Sequence, residues 1–409
     1  MNAGILALLA VAVAIGIGYF RRVNTGVMAI ALAWLVGRFA GGMSEADIVG
    51  GWPLRLFFIL LGITFLFSLA QVNGTLRVVT RKATHCMGGR RRLIPPVFFV
   101  LATILSGVGP GNIAACAVIL PLAMAVAADE NISPVLVAAM VISGSNAGGL
   151  SPIAPTGIVA FELAAQAGLD MPRLEWIVFT DQLVGQGLLA LAIYVLFKGY
   201  ALENHSSTEE APPPLEPKQW LTIGVISAVV AAIVFGGVNI GLAAFAGTAI
   251  LLVLGAADQN ETLSTIPWSP IILVCGVAML VHVCTVTGGI RLLTTFLSQF
   301  MNEASVAPIM AVTGGLMSLV SSASGVVMPT LIPTVAQLVE EVGGNPVEII
   351  SSIALGSHVV TLSPFSTLGA LAVASAGPGI DKEKFFRQML TLAMVALCYV
   401  PIISWLGII

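Results

Sequence analysis

Apolar residues run through this chain in long blocks separated by short polar intervals. Gly4 to Phe20 and Val27 to Ala40 are two such blocks, and about 20 apolar residues match the hydrocarbon thickness of a bilayer. The pattern predicts three spans first, at 3–20, 24–41 and 54–72. An apolar stretch with a polar centre follows at 95–128, broken at Ser106-Gly107-Val108-Gly109-Pro110-Gly111-Asn112. Its arms are short for a full crossing, so the pair reads as a re-entrant hairpin. A stretch at 133–168, interrupted from Ser143 to Thr156, reads as a broken helix, and a span at 182–198 closes the set.

The same set then recurs. Spans are expected at 219–236, 240–256 and 270–287, a hairpin at 306–339 broken at Ser321-Ser322-Ala323-Ser324-Gly325, a broken helix at 346–376 interrupted from Gly356 to Thr367, and a span at 389–409. Individual residues repeat in register. Val23-Asn24-Thr25-Gly26 returns as Val238-Asn239-Ile240-Gly241, Gly62, Gly74 and Arg77 return as Gly276, Gly288 and Arg291, and Pro121 and Pro134 return as Pro333 and Pro346. Gly144-Ser145 returns as Gly356-Ser357, Leu150-Ser151-Pro152 as Leu362-Ser363-Pro364, and Gly157 as Gly369. An ordered series of this kind marks an internal repeat. The halves are 1–198 and 218–409, joined by a polar linker at 199–217 that contains Glu209-Glu210-Ala211-Pro212-Pro213-Pro214. A hairpin does not change sides, so each half crosses five times, and an odd count turns the second half upside down. The expected fold is an all-α polytopic membrane protein of two inverted repeats, each with five transmembrane spans and one re-entrant hairpin.

Composition agrees. The 409 residues are 57% hydrophobic and 9% charged, with a mean hydropathy of +1.01, whereas soluble domains carry about 25% charged residues. No basic stretch precedes the first apolar block; Arg21 and Arg22 follow it, the reverse of a cleavable signal. The five cysteines, Cys86, Cys116, Cys275, Cys284 and Cys398, form no C-x-x-C pair and suit neither a disulfide framework nor a zinc site. Basic residues orient the chain. If the Arg77, Arg81, Lys82, Arg90, Arg91 and Arg92 loop is cytoplasmic, the inside also receives Arg21, Arg22, Lys198, Lys218, Lys382, Lys384 and Arg387. That makes 13 inside against Arg38, Arg55, Arg173 and Arg291 outside, 4 in all, as the positive-inside rule requires. Both termini are then expected outside and the linker inside, in what would be a bacterial inner (plasma) membrane.

The chemistry concentrates at the four breaks. Non-helical chain at membrane depth needs protein or a water-lined cavity around it. Each break ends one half-helix and starts another, and a helix start carries free N–H groups and about half a positive charge. Four starts, near Asn112, Gly157, Ser324 and Gly369, would compensate a dianion if they converged, and the terminating carbonyls and nearby hydroxyls would suit sodium. Candidate substrate ligands are Asn112, Ser145, Asn146, Ser324, Ser357, His358, Ser363 and Thr367. Candidate sodium ligands are Ser106, Gly107, Asn112, Gly148, Ser151, Thr156, Ser322, Ser324, Thr361 and Ser366, with Ser321 another oxygen at the same break. Against this, a lone serine or threonine in an apolar helix usually bonds its own backbone, and Gly107, Gly109, Gly148 and Gly149 could simply permit close packing. His358 could donate to a carboxylate or be a satisfied buried histidine. Glu162 could carry protons; facing an outer vestibule near Arg173 is the favoured reading. His282 is expected to pack within a span.

At these residues the chain resembles the ion transporter superfamily, whose best-known branch is the divalent anion/sodium symporters. The family's hairpin tips carry Ser-Asn-Thr with a proline nine residues after the asparagine; here Asn112 precedes Pro121, and Ser324 precedes Pro333, at that spacing. Gly148-Gly149-Leu150-Ser151-Pro152-Ile153-Ala154-Pro155-Thr156-Gly157 is similar to the family's first broken-helix loop. Both tip threonines are missing and the second asparagine is a serine, so only Asn112 matches the family's side-chain ligands. Length and first-hairpin sequence are most similar to the malonate/dicarboxylate carriers of the MatC-like type. The resemblance implies malonate or a C4-dicarboxylate as substrate, sodium as coupling ion and no other cofactor. It also implies an elevator movement, in which hairpins, broken helices and final spans slide against the first three spans of each half. A homodimer is compatible with this; a nucleic-acid partner is not expected.

Other readings on the same architecture are a cation/proton antiporter, an arsenite-type permease or a proton-coupled dicarboxylate symporter. An antiporter needs a titratable carboxylate at depth; Glu162 is the candidate, and its repeat mate is Ala374. The sequence shows no metal triad, no G-x-S-x-G and no convergent carboxylate pair, so an enzyme is not expected. A passive channel is disfavoured by the paired breaks.

Overall fold

The computed structural model describes residues 2–21, 23–85, 90–169, 171–203, 214–236, 238–319, 321–377 and 380–408. Arg22, Cys86 and the Glu209–Pro213 part of the linker lie outside the described residues. Every regular element among the described residues is helical.

The first half contains α1 (Ala3–Arg21), α2 (Thr25–Phe39), α3 (Glu45–Gly50), α4 (Leu54–Val72), α5 (Thr75–His85), α6 (Ile94–Gly107), α7 (Gly111–Asp129), α8 (Pro134–Gly149), α9 (Pro155–Gln166) and α10 (Leu174–Leu196). The second contains α11 (Pro217–Gly236), α12 (Ile240–Val253), α13 (Gln259–Thr265), α14 (Trp268–Val286), α15 (Gly289–Ser298), α16 (Val306–Ser318), α17 (Met328–Leu331), α18 (Val335–Val342), α19 (Pro346–Val359), α20 (Thr367–Ala374) and α21 (Lys382–Trp405). A π-helical turn, Ala323–Val327, leads into α17.

The halves share local signals as well as element order. Asn24 caps α2 through Gly26 N and Asn239 caps α12 through Leu242 N. Ser44 caps α3 and Asp258 caps α13. Ser133 and Asn345 cap α8 and α19, each ahead of a proline at the first helical position, where a missing N–H costs nothing. Gly74 and Gly288 both turn the chain at φ +78°, a conformation that excludes most side chains. The halves also exchange contacts reciprocally. A Cβ on Gly276 of α14 would lie 2.2 Å from Gly26 O of α2, and one on Gly62 of α4 would lie 2.5 Å from Gly241 O of α12. Gly26 corresponds to Gly241, and Gly62 to Gly276, so the two close crossings are one contact made twice.

Among the described residues, seven helical stretches are long and apolar enough to cross a membrane: α4, α7, α10, α14, Ala323–Val342, Pro346–Ala374 and α21. Further apolar helices, including α1, α2, α8, α11, α12 and α16, are shorter over their described residues. The chain is an integral membrane protein.

Four details depart from the sequence pattern. The second arm of the first hairpin, α7, has 19 residues, longer than its polar centre suggested. The final helices begin earlier, at Leu174 and Lys382, because Glu175, Asp181, Lys382 and Arg387 lowered local hydropathy without ending the helix. The breaks are narrower: α8 stays helical through Ser143 to Gly149 and opens only before Pro155. Likewise α19 runs to Val359, tightens into a 3-10 turn at Val360–Leu362, and opens at Ser363 to Ser366. Short amphipathic segments α3, α5, α13 and α15 fill intervals that hydropathy alone left blank.

Candidate functional site

Three helix starts meet at one cavity. The first hairpin turns through Val108 to Pro110, and α7 begins at Gly111, whose φ of +78° brings it against the Pro155 ring at the start of α9. The second hairpin reverses at Ser321-Ser322, where the Ser322 hydroxyl accepts from Gly325 N at 3.1 Å. The cavity these ends enclose with α4 and α14 has a volume of about 250 Å³. Asn112, Thr156 and Ser324 line it from the breaks, and Thr64, Ser68, Gln71 and Thr265 line it opposite. The start of α20, the fourth break, is not part of this wall. No ionisable side chain is found among the described lining residues.

Asn112 is the junction between the cavity and a buried polar seam. Its Oδ1 accepts from Ile113 N at 2.9 Å and from the Thr156 hydroxyl at 3.4 Å. Its Nδ2 donates to Asn146 Oδ1 at 3.1 Å. Asn146 then donates across the repeats, to His358 O at 3.1 Å and Thr361 Oγ1 at 2.7 Å. The Asn146 carbonyl accepts from Gln182 Nε2 at 3.3 Å. Ser106 donates to Ser145 O at 2.7 Å, and Cys116 Sγ to Ser145 Oγ at 3.2 Å. Ser106, Ser145, Asn146, Ser357 and His358 are all buried and lie outside the cavity wall.

His358 Nδ1 lies 2.7 Å from Ala354 O. A carbonyl only accepts, so Nδ1 carries the proton; Nε2 is buried with no hydrogen-bond partner among the described residues. Thr361 donates to His358 O at 2.7 Å, and Ser366 donates to Thr361 O at 2.5 Å while capping α20. Ser357 donates to Ala354 O. The Ser363 hydroxyl accepts from Phe365 N at 3.3 Å. Thr367 is exposed at the start of α20, away from the cavity. Ser321 donates to Met317 O. Ser151 is buried in the first break. Gly107 and Gly148 allow close packing: a Cβ on Gly148 would lie 2.1 Å from Thr103 O. Gly109 brings the first tip against the Phe67 ring of α4, and Gly325 brings the second against Leu273 of α14.

Glu162 pairs with Arg55 at 3.2 Å, not with Arg173, and so ties α9 to the start of α4. Arg55 is one of the four basic residues that the sequence pattern assigns to the outside. His282 sits on α14 against Gly51.

Two further cavities have volumes of about 410 Å³ each. One is lined by Gln71, Leu76, Arg77 and Pro121; the other includes Thr285, Ile290 and Pro333, the repeat mates of Gln71, Leu76 and Pro121, and also Gly51, Pro53, Ala278, Val281 and His282, which stand where Thr265, Pro267, Thr64, Phe67 and Ser68 stand in the central cavity. The first shares Gln71 and Ala117 with the central cavity, and the second shares no lining residue with it. The central cavity therefore adjoins the first of these cavities, the Arg77 vestibule.

Comparison with known proteins bears on this geometry. Residues 1–149 match the family model described as the dicarboxylate carrier protein MatC N-terminus. Over these residues the chain is MatC-like. The MatC-like region ends at Gly149, so it includes α1 to α8, the whole first hairpin and both Asn112 and Asn146. The fold is similar to that of the Alcanivorax borkumensis YdaH transporter, with a TM-score of 0.61 and 16% identity over 89% of this chain and 86% of that one. It is also similar to Neisseria gonorrhoeae MtrF, described among antimetabolite efflux pumps, with a TM-score of 0.57 and 14% identity over 92% of this chain and 84% of that one. At such identities the likeness concerns the fold alone. A search of curated proteins finds no match.

The central cavity contains residues the sequence pattern passed over. Thr64, Ser68 and Gln71 occupy one face of α4, at i, i+4 and i+7, and that spacing was a usable signal. Gln182 was missed because it lay at the presumed edge of its span.

Proposed function

We propose that the protein is a secondary active carrier that imports a small dicarboxylate, malonate or a C4-dicarboxylate, with sodium, by an elevator form of alternating access. The observation that carries this reading is the convergence of three helix starts on a cavity without a carboxylate among its described lining residues. Helix starts favour anions, and three of them around a small neutral cavity favour a compact dianion. The MatC-like first repeat supports the substrate class. Half-helix dipoles compensate two charges incompletely, which calls for cations bound with the substrate. Oxygens of Ser106, Ser151, Thr156 and Thr361 around the breaks are the candidate ligands.

The two repeats are taken as inverted, with five crossings and one re-entrant hairpin each. Alternating access is supported by the repeat relation between the central cavity and the cavity beside His282, whose Gly51, Pro53, Ala278, Val281 and His282 stand where Thr265, Pro267, Thr64, Phe67 and Ser68 stand in the central one. The moving unit would comprise α6 to α10 and α16 to α21, with α1 to α4 and α11 to α14 as scaffold. The Arg55–Glu162 pair then bridges scaffold and moving unit in this conformation. Glu162, held by arginine away from the cavity, is poorly placed to carry protons for an antiporter.

The test is uptake of labelled malonate, succinate and citrate into proteoliposomes with and without an inward sodium gradient. The reading expects malonate or succinate uptake that rises cooperatively with external sodium. Uptake independent of sodium that collapses with the proton gradient would replace sodium by protons. Absence of dicarboxylate uptake under either gradient would overturn the substrate assignment.

A further inference from the structure

The central cavity holds no fixed cation among its described lining residues, yet its mouth does. The adjoining vestibule shares Gln71 and Ala117 with it, and Arg77 is the one ionisable group among the described residues that line that vestibule. The turn at Asn73-Gly74, fixed by the +78° φ of Gly74, lays the amphipathic helix α5 beside the first hairpin. Arg77 is exposed on the first turn of this helix, and no ion pair to it is found among the described residues. Gln71 projects from the end of α4 into both cavities. An anion entering from this face meets the guanidinium first, then the Gln71 amide, then Asn112.

The repeat sharpens the point. Arg291 stands on α15 where Arg77 stands on α5, but the second vestibule is lined by Ile290 and His282 and not by Arg291. Around the three positions the two cavities share by the repeat, Gln71/Thr285, Leu76/Ile290 and Pro121/Pro333, an arginine is thus found in the first lining and not in the second.

We propose that Arg77 and Gln71 form a capture subsite for a carboxylate-bearing anion, distinct from the central cavity and passed on the way into or out of it. The proposal rests on the carrier reading above. Arg77 acts from solvent, so it raises local anion concentration and the rate of encounter and does not hold the anion in the central site. Such steering weakens as salt shortens the Debye length. Arginine suits the role because its planar fork can meet a carboxylate with two parallel N–H donors, but a lysine in its place would keep the long-range part.

The experiment is initial-rate malonate uptake from the Arg77 face of sealed vesicles. It compares the parent with Arg77→Gln, Arg77→Lys and Arg291→Gln, at fixed sodium and with choline chloride added to vary ionic strength. Arg77→Gln is expected to raise KM about three- to tenfold at low ionic strength with Vmax retained, and the gap should close at high salt. Arg77→Lys and Arg291→Gln should stay near the parent. Unchanged KM in Arg77→Gln at low salt would overturn the subsite, as would a loss of Vmax that salt does not alter. A parent that carries no malonate would overturn the carrier reading itself, a separate result from a parent that transports and a variant that matches it.

Discussion

Asn112 and Ser324 occupy equivalent hairpin tips, nine residues before Pro121 and Pro333, but their surroundings differ. Asn112 is hydrogen-bonded to Asn146 and Thr156, while Ser324 faces the cavity from a π-helical turn; such turns occur often at functional sites. Ser324→Ala is expected to weaken apparent malonate affinity at normal folded yield, by roughly 10- to 150-fold if its hydroxyl bonds the charged ligand. Asn112→Ala should lose affinity and also some stability, because Asn146 Oδ1 loses its donor. Asn146→Ala should act mainly on stability: it strips partners from the His358 carbonyl and Thr361, and a buried group left unsatisfied costs about 1–3 kcal/mol. Detergent-solubilised melting curves separate the three. Equal melting of Asn146→Ala and parent would contradict the seam described here. Ser298→Ala, whose hydroxyl donates to Thr295 O on α15, should match the parent in transport. The sequence made Asn112, Thr156 and Ser324 legible because polar residues beside glycine and proline break an apolar pattern. It could not separate cavity-lining residues from the seam behind them, since Ser145, Asn146 and His358 look as polar as Asn112 until helix phase and neighbours are known.

Helices meet closely where the repeat supplies glycine. Gly276 faces Gly26 and Gly62 faces Gly241 through backbone oxygens, which cannot move aside as a side-chain end could. Gly62→Val and Gly276→Val should both reduce folded yield, each by about 1–3 kcal/mol or more, and by similar amounts because the contacts are equivalent. Fluorescence-detected size exclusion measures this; parental profiles for both would contradict the reciprocal packing. The α4–α9 link makes a second prediction. With Cys398 replaced, Arg55→Cys combined with Glu162→Cys, joined by a short bifunctional thiol reagent, should arrest transport, and each single variant should continue to transport. Unimpaired transport by the joined pair would show that α4 and α9 do not move apart. Span positions such as Leu54–Val72 were legible from hydropathy alone. Break widths were not, because serine and glycine are compatible with a buried helix once another helix covers them, as at Ser143 to Gly149.

For the whole molecule, 13 basic residues fall on one side and 4 on the other when crossings are assigned as inverted repeats. A cysteine at Glu203, within the linker, should then be protected from impermeant reagents in intact cells, and one at Glu303, before α16, should be labelled. The opposite pattern would invert the orientation. The central claim is that one anion cavity opens to each side in turn, and counterflow tests it most directly. Proteoliposomes are loaded with unlabelled malonate, sodium is equal on both sides, and labelled malonate is added outside. A carrier must exchange one bound anion for another, so labelled malonate should accumulate transiently above its external concentration and then decline. A monotonic rise to equality, unaffected by the internal malonate, would contradict alternating access and describe a passive pore.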